Sequence, residues 1–507
     1  MDNNSRNKNE QTTYDNLSLN TLRSSKEERN KDTIGFRIQF IRELLKGKQL
    51  KPLLDFDHHE TEYFRKDIEE SEFDDGNSND TRNLIKKKYY NFKNVISKIG
   101  GRLHYVKSGT TGHTFKGVID DNNDDEEPFC YAVKVVAYSN NKYGKINNSD
   151  RPENAEILMI RLLSYFIINK QTPHIVLPIL TFNTSIKPFL TLLRENVVDS
   201  SDERYVEFLK KYKKGEYYDE VSILISEWAN RGDLLDFIKR FYTEFHLIHW
   251  KVFFFQIIST LAVIQSKYPS FRHNDLKANN ILVHKVSKSF YRYTYKVIGK
   301  FYVVPNIGYL IKLWDFDFSC IPGEVENEKV VADWTNRINI KPKKNRYYDI
   351  HYFFNTLAYT GFLPKFLTSP DIPNEVKDFV ARIIPPQYRT VECIHKERNS
   401  REKVDKNQNN KNRKKKDDEC KICHSIVHSR GRLLVDDEYT TPEKILEDKF
   451  FEVFSKKNNL NNLNQKKERL KDFDNTTKIS SKNIVDELIN EDYKNNIKKP
   501  NLKRKYM

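Results

Sequence analysis

The sequence predicts an α+β fold in two lobes, rich in strand first and in helix afterwards, with disordered tails. Three observations carry that reading. Two stretches, "VKSGTTGHTFKGVI" (106–119) and "PFCYAVKVVAYS" (128–139), are dense in β-branched and aromatic residues, the composition of strands. Further on, the apolar run Val252–Ile264 is too short for a bilayer and fits a buried core helix. Polar residues gather outside this region, in 1–34, 396–419 and from about 456 to the end, where too little apolar surface is available to offset the entropy of ordering.

These boundaries give an expected organisation: a disordered arm 1–34, an N-terminal extension 35–94, a compact region 95–455 and a basic polar tail 456–507. Inside the compact region the first lobe runs to about 226 and the second starts at about 230. A polar, Cys-containing insertion covers about 391–430. With 507 residues but only 38% hydrophobic ones and a mean hydropathy of -0.75, part of the chain is expected to stay out of any core. The net charge of +16 would suit a polyanionic partner. Most of the excess sits in the polar segments, at Lys411–Lys416 and Lys498–Lys505, so nucleic acid is not the expected partner. Five scattered cysteines argue against a disulfide scaffold and for an intracellular, reducing compartment. Neither a signal peptide nor a membrane span is expected. The oligomeric state is not legible.

Within the first lobe, Gly109 and Gly112 are spaced so that backbone N–H groups can approach phosphate oxygens. The following strand carries Lys134 among apolar neighbours, where an ammonium needs a partner. "RPENAEILMIRLLSYFI" (151–167) supplies one. Ile157, Ile160 and Leu163 fall on one helical face with Glu156 beside them, which predicts a Lys134–Glu156 ion pair.

The chemistry concentrates in "SFRHNDLKANNILVHK" (270–285). Asp275, with Asn280 five positions on, suits phosphoryl transfer, in which a carboxylate orients a hydroxyl and an amide oxygen holds a metal. In "IGYLIKLWDFDFSC" (307–320) a strand through Ile311 and Leu313 is expected to deliver Asp315 to the same spot, as an oxygen ligand for Mg²⁺.

In this order the motifs resemble those of the eukaryotic-type serine/threonine protein kinases, with departures similar to kinases of large DNA viruses. The resemblance covers about residues 95–455 and implies a protein-kinase-like fold. "AVK" (132–134) is similar to the strand of the phosphate-gripping lysine and "AEILMIRLL" (155–163) to its partner helix. "ILISEWANRGDLLDFI" (223–238) resembles the hinge, with Ser226 as gatekeeper and Glu227, Trp228 and Ala229 lining the adenine slot. "HNDLKANN" (273–280) resembles the catalytic loop and "DFD" (315–317) the metal-binding triplet. "YYDIHYFFNTL" (347–357) looks like the helix whose Asp349 braces that loop, and "YTTPEKILEDKFF" (439–451) like the end of the second lobe.

The resemblance implies roles. Asp275 is the base and Lys277 sits near the γ-phosphate, a lysine that implies Ser/Thr rather than Tyr acceptors on protein substrates. Lys107, Gly109, Gly112, Lys134 and Glu156 serve ATP, and Asn280 and Asp315 hold Mg²⁺ or Mn²⁺. A viral origin implies the host cytoplasm or the virion as site of action. Among the departures, Lys107 stands where the family has its first loop glycine. Asp317 replaces a glycine, which predicts either backbone strain or, in the favoured reading, a second carboxylate for the metal. Asn274 replaces the arginine that reads a phosphorylated activation segment, so activity is expected without phosphorylation. Two rival readings use the same residues. One is a small-molecule kinase of the choline or aminoglycoside type, closer in its His273-Asn274-Asp275 and Asp315-Phe316-Asp317 triplets; the other is an inactive pseudokinase scaffold. Finally, Cys420 and Cys423 in "CKICH", with Cys393, His395 and His428 near in sequence, form a candidate Zn²⁺ site.

Overall fold

The computed structural model describes residues 33–54, 56, 87–109, 112–119, 128–287, 292–390 and 426–455. The expected arm up to residue 32, the acidic stretch "DDNNDDEE" (120–127), most of the polar insertion including Cys420 and Cys423, and the tail from 456 lie outside the described residues. The chain divides into a large unit, Met1–Glu452, and a C-terminal one, Val453–Met507, described only to 455.

The first lobe is a five-stranded antiparallel sheet formed by β1 (Arg102–Ser108), β2 (Gly112–Ile119), β3 (Phe129–Ser139), β4 (Pro178–Ser185) and β5 (Tyr217–Glu227), in the order β1-β2-β3-β5-β4. Only glycine allows the strands their closeness at Gly112, where a Cβ would stand 1.8 Å from the Val135 carbonyl oxygen. Central β3 is buried from Tyr131 to Tyr138, which is why its sequence is almost continuously apolar. Helix α3 (Pro152–Ile168) opens with proline at its first turn, where no N–H is needed, and packs against β4.

Two helices precede the sheet. Helix α1 (Ile34–Leu45) starts where Thr33 Oγ1 accepts from the Phe36 N–H at 3.2 Å; α2 (Phe92–Ile99) uses Asn91 in the same way. Helix α1 comes from the stretch expected as an extension, and α2 straddles its end, yet α1 buries Phe40, Ile41, Leu44 and Leu45. Helix α4 (Glu203–Lys213) joins β4 to β5.

The second lobe is organised around α6 (Leu247–Lys267), preceded by α5 (Leu234–Phe241) and followed by α7 (Tyr348–Ala358) and α8 (Asn374–Ile383). Helix α6 is long and apolar enough to cross a membrane, but 78% of that apolar window is buried inside the protein, as a core helix is. Phe254 sits at its centre, 4.9 Å from the Phe354 ring and 6.0 Å from that of Phe379. A short ladder, β6 (Ile281–Lys285) against β9 (Tyr309–Leu313), pairs Ile281 with Leu313. That register places the residues just before β6 beside those just after β9. Between them an additional hairpin, β7 (Arg292–Val297) and β8 (Lys300–Pro305), docks by a 2.9 Å hydrogen bond between Tyr295 Oη and His174 Nε2.

Candidate active site

Lys134 is buried on β3, and its Nζ donates to Glu156 Oε1 on α3 at 2.6 Å and to Asp315 Oδ1 at 2.9 Å. Burial alone would disfavour the ammonium, but Asp315 and Glu156 outweigh it and raise the Lys134 pKa. Burial would also lift Asp315, and Lys134 instead holds it well below the usual carboxylate range. The Glu156 carboxyl is pushed upward by burial. Asp315 reaches this position with φ of +64°, a left-handed conformation uncommon for a residue with a side chain.

Asp275 is tied to this group through Asn280. Its Oδ2 accepts from Lys277 Nζ and Asn280 Nδ2, each at 2.9 Å, while Oδ1 is paired with Arg432. Because Asn280 donates through its amide nitrogen, also to the Asp275 carbonyl, its Oδ1 remains the end suited to a cation. The β6–β9 ladder brings the metal candidates together: the Trp314 N–H donates to the Asn280 carbonyl, next to Asp315. A carboxylate and an amide oxygen are hard donors, so the pair fits Mg²⁺ with phosphate oxygens completing the shell. Asp349 on α7 accepts from the backbone N–H of His273 at 2.7 Å and of Asn274 at 2.8 Å, which fixes the loop that carries Asp275.

A cleft of about 600 Å³ is lined by Lys134, by Lys107, Gly109 and Gly112 of the β1–β2 region, and by Ser226, Trp228 and Ala229 along the hinge. Asn280 and Asp315 close its floor. The volume is that of a nucleotide-sized site. Gly109 closes the β1–β2 turn, its N–H donating to the Gly112 carbonyl at 2.7 Å.

Three of these positions have partners that the motifs do not indicate. Glu227 borders the cleft, but its carboxylate belongs to a buried network behind the hinge. There it pairs with Arg37 of α1, with Lys312 at 2.8 Å and with the Leu177 N–H at 2.8 Å. Burial would raise its pKa, but Arg37 and Lys312 hold it down at about 2. A larger cavity of about 1160 Å³ opens on that side of the hinge. Asp317 does not supply a free second carboxylate, because Lys329 takes it, with the ammonium also 3.9 Å from the Phe318 ring centre. Nor is Asp317 strained, since the positive φ falls on Asp315 instead. Asn274, in place of arginine, ties the catalytic loop directly to the activation segment by donating from Nδ2 to the Phe318 carbonyl at 3.0 Å.

Cations do serve that segment, from positions without a motif. Arg272, fully buried, donates to the carbonyls of Asn339 and Lys343 and stacks 3.7 Å from the Tyr348 ring centre. The two Ser/Thr hydroxyls of that segment are internal: Ser319 donates to the His273 carbonyl, and Thr335 donates to the Ala332 carbonyl at 2.6 Å with those of Lys329 and Val330 close by.

A family model described as poxvirus serine/threonine protein kinase matches residues 125–392. The chain belongs to that family. It is 42% identical over 446 residues to a provisionally named serine/threonine-protein kinase of Acanthamoeba polyphaga mimivirus, an alignment covering 86% of this chain and 84% of that protein. A second mimivirus protein with the same provisional description is 39% identical over 102 residues, 19% of this chain and 25% of its own length. The two-lobed kinase fold and the viral-type divergence read from the motifs thus hold for the poxvirus-type family, for which ATP and a divalent metal are the general requirement. Among the described residues no cluster of three or more His, Cys, Asp or Glu side chains could hold a metal. The Asp315–Asn280 pair falls below that count because phosphates would supply the remaining ligands.

Proposed function

We propose that the chain transfers the γ-phosphoryl group of ATP to serine or threonine hydroxyls of protein substrates. One observation carries this reading: Lys134 bonds both Glu156 and Asp315 and shares one cleft with Asn280, whose amide holds the Asp275 carboxylate. Five polar groups from four separate stretches of chain converge there, and burying such groups is costly unless they are matched to one another.

In this reading Glu156 aims Lys134 at the α- and β-phosphates, while the β1–β2 turn covers them. Asp315 and Asn280 hold Mg²⁺, which when bound neutralises the charge that develops on the phosphates. Asp275 orients the acceptor hydroxyl and takes its proton, and Lys277, 2.9 Å from Asp275, lies where the transferred group passes. The acceptor side favours protein over a small molecule because the full hinge and closing segments of the second lobe are present; the relatives' names support the same class. Their viral source supports action in the infected cell's cytoplasm or in the virion.

The test is transfer from labelled ATP with Mg²⁺ to dephosphorylated casein, with choline as the competing acceptor. Asp275→Asn is expected to abolish transfer to casein and leave nucleotide affinity nearly intact, since the carboxylate acts on the acceptor. Label on choline, or wild-type turnover by Asp275→Asn, refutes the proposal.

A further inference from the structure

Arg432 stands 157 residues after Asp275 and outside the stretch matched by the kinase family model, yet its guanidinium lies in the active site. It is delivered by a small turn in which Val427 bridges Leu433 and the His428 and Gly431 N–H groups bond the Arg432 and His428 carbonyls, each at 2.7 Å. The turn is seated on α7. Asn355 Nδ2 donates to the Gly431 carbonyl at 3.0 Å, and the backbone there runs so close that a Cβ on Gly431 would stand 2.8 Å from Thr360 Cγ2. Gly431 also has φ of +87°, so another residue there would be strained as well as crowded. Leu433 is fully buried and its carbonyl accepts from Asn339 Nδ2 of the activation segment at 2.9 Å.

So fixed, the buried Arg432 side chain lies 4.3 Å from the Tyr352 ring centre and divides its donors. Nη1 bonds the carbonyl of Asn274, a residue held at φ of +62°, and Nη2 bonds Asp275 Oδ1. Lys277 and Asn280 occupy only the other oxygen, Oδ2.

We propose that Arg432 is a positioning residue for phosphoryl transfer: its fork locks the Asn274 backbone and one oxygen of Asp275 together, so that the base meets the acceptor hydroxyl in a single orientation. The segment just after the polar insertion is therefore part of the active site. A planar guanidinium can hold a carbonyl and a carboxylate at once, which an ammonium cannot.

This inference rests on the phosphotransfer reading, so wild type and Asp275→Asn are assayed beside Arg432→Ala and Arg432→Lys in the full chain, with casein and labelled ATP. A misplaced base costs on the order of 10²-fold in rate. Arg432→Ala is expected to lose about that much in kcat, with the KM for ATP and nucleotide affinity changed less than about twofold. Methylguanidinium in solution should restore part of the rate, which a purely structural role would not allow. Arg432→Lys should fall between the two, since it can satisfy one acceptor but not both, and it decides the matter if the alanine variant does not fold. An Arg432→Lys or Arg432→Ala rate equal to wild type overturns the inference, as does a faster one, which would mark the contact as blocking. A loss that methylguanidinium leaves unmoved and that comes with weakened nucleotide binding overturns it too. If wild type itself transfers nothing, or Asp275→Asn matches it, the phosphotransfer reading fails and carries this inference with it.

Discussion

Replacing Arg37 by methionine should cost this kinase about 3 kcal/mol of stability, at the lower end of the range for breaking a buried ion pair. Methionine keeps the apolar stem and removes the guanidinium. That group is 8% exposed and donates to both oxygens of Glu227, to the Pro173 carbonyl at 2.7 Å and to the Ile175 carbonyl at 2.7 Å. Its loss strands two carbonyls in a buried site, at about 1 kcal/mol or more each. The lower end applies because Lys312 stays 2.8 Å from Glu227, so the carboxylate is not left without a cation. Urea unfolding of the full chain measures the effect, with Glu227→Gln and the double variant completing a cycle. The cycle should show a coupling above about 1.5 kcal/mol, since two of the four hydrogen bonds go to Glu227. The KM for ATP should rise as well, because Glu227 is the hinge residue next to Trp228. A loss under about 1 kcal/mol with no coupling would show that α1 merely rests on the hinge.

Two further outcomes are expected. Phosphatase-treated enzyme should keep its rate within about twofold, because Ser319 and Thr335 are buried and bonded to backbone carbonyls; a rate that falls and returns on rephosphorylation would contradict this. His351 is buried, its Nε2–H donates to the Tyr388 carbonyl at 2.7 Å, and burial lowers its pKa to about 3. Its folded-state pKa lies below the unfolded value near 6.5, so its contribution is complete above that pH and shrinks as the pH falls toward 3. The stability advantage of wild type over His351→Gln should thus narrow by about 1 kcal/mol between pH 7.5 and 5.5, and a pH-independent difference would refute the burial argument.

Much of the site could be read from the sequence because its residues are locked to local patterns. Lys134 lies on a strand whose composition announces it, Glu156 on a helix with regular apolar spacing, and Asp275, Asn280 and Asp315 beside the two short strands that bring them together. Side chains that act across long stretches of chain leave no such mark. Arg37, Arg272 and Arg432 match no motif position, and their roles come from what the fold packs against them. For Arg432 the one local signal is the glycine before it, and a single glycine is too common to point to an active site. Asp317 shows the opposite error. Its position beside the metal ligand invited a metal role, but Lys329, twelve residues on, reaches it first.

Asn355 has a consequence for how this family can change over time. Its amide donates to Thr390 Oγ1 at 2.7 Å and to the Gly431 carbonyl at 3.0 Å, and its own oxygen accepts from the Thr390 N–H. One side chain therefore clasps the chain on both sides of the stretch 391–425. The entropy of closing a loop between pinned ends grows only slowly with its length, by about 0.6 kcal/mol per doubling. Insertions and deletions between Thr390 and the Arg432 turn can then accumulate with little effect on the catalytic centre, which leaves this stretch as the place where related viruses can add new binding sequence to an enzyme that otherwise stays the same.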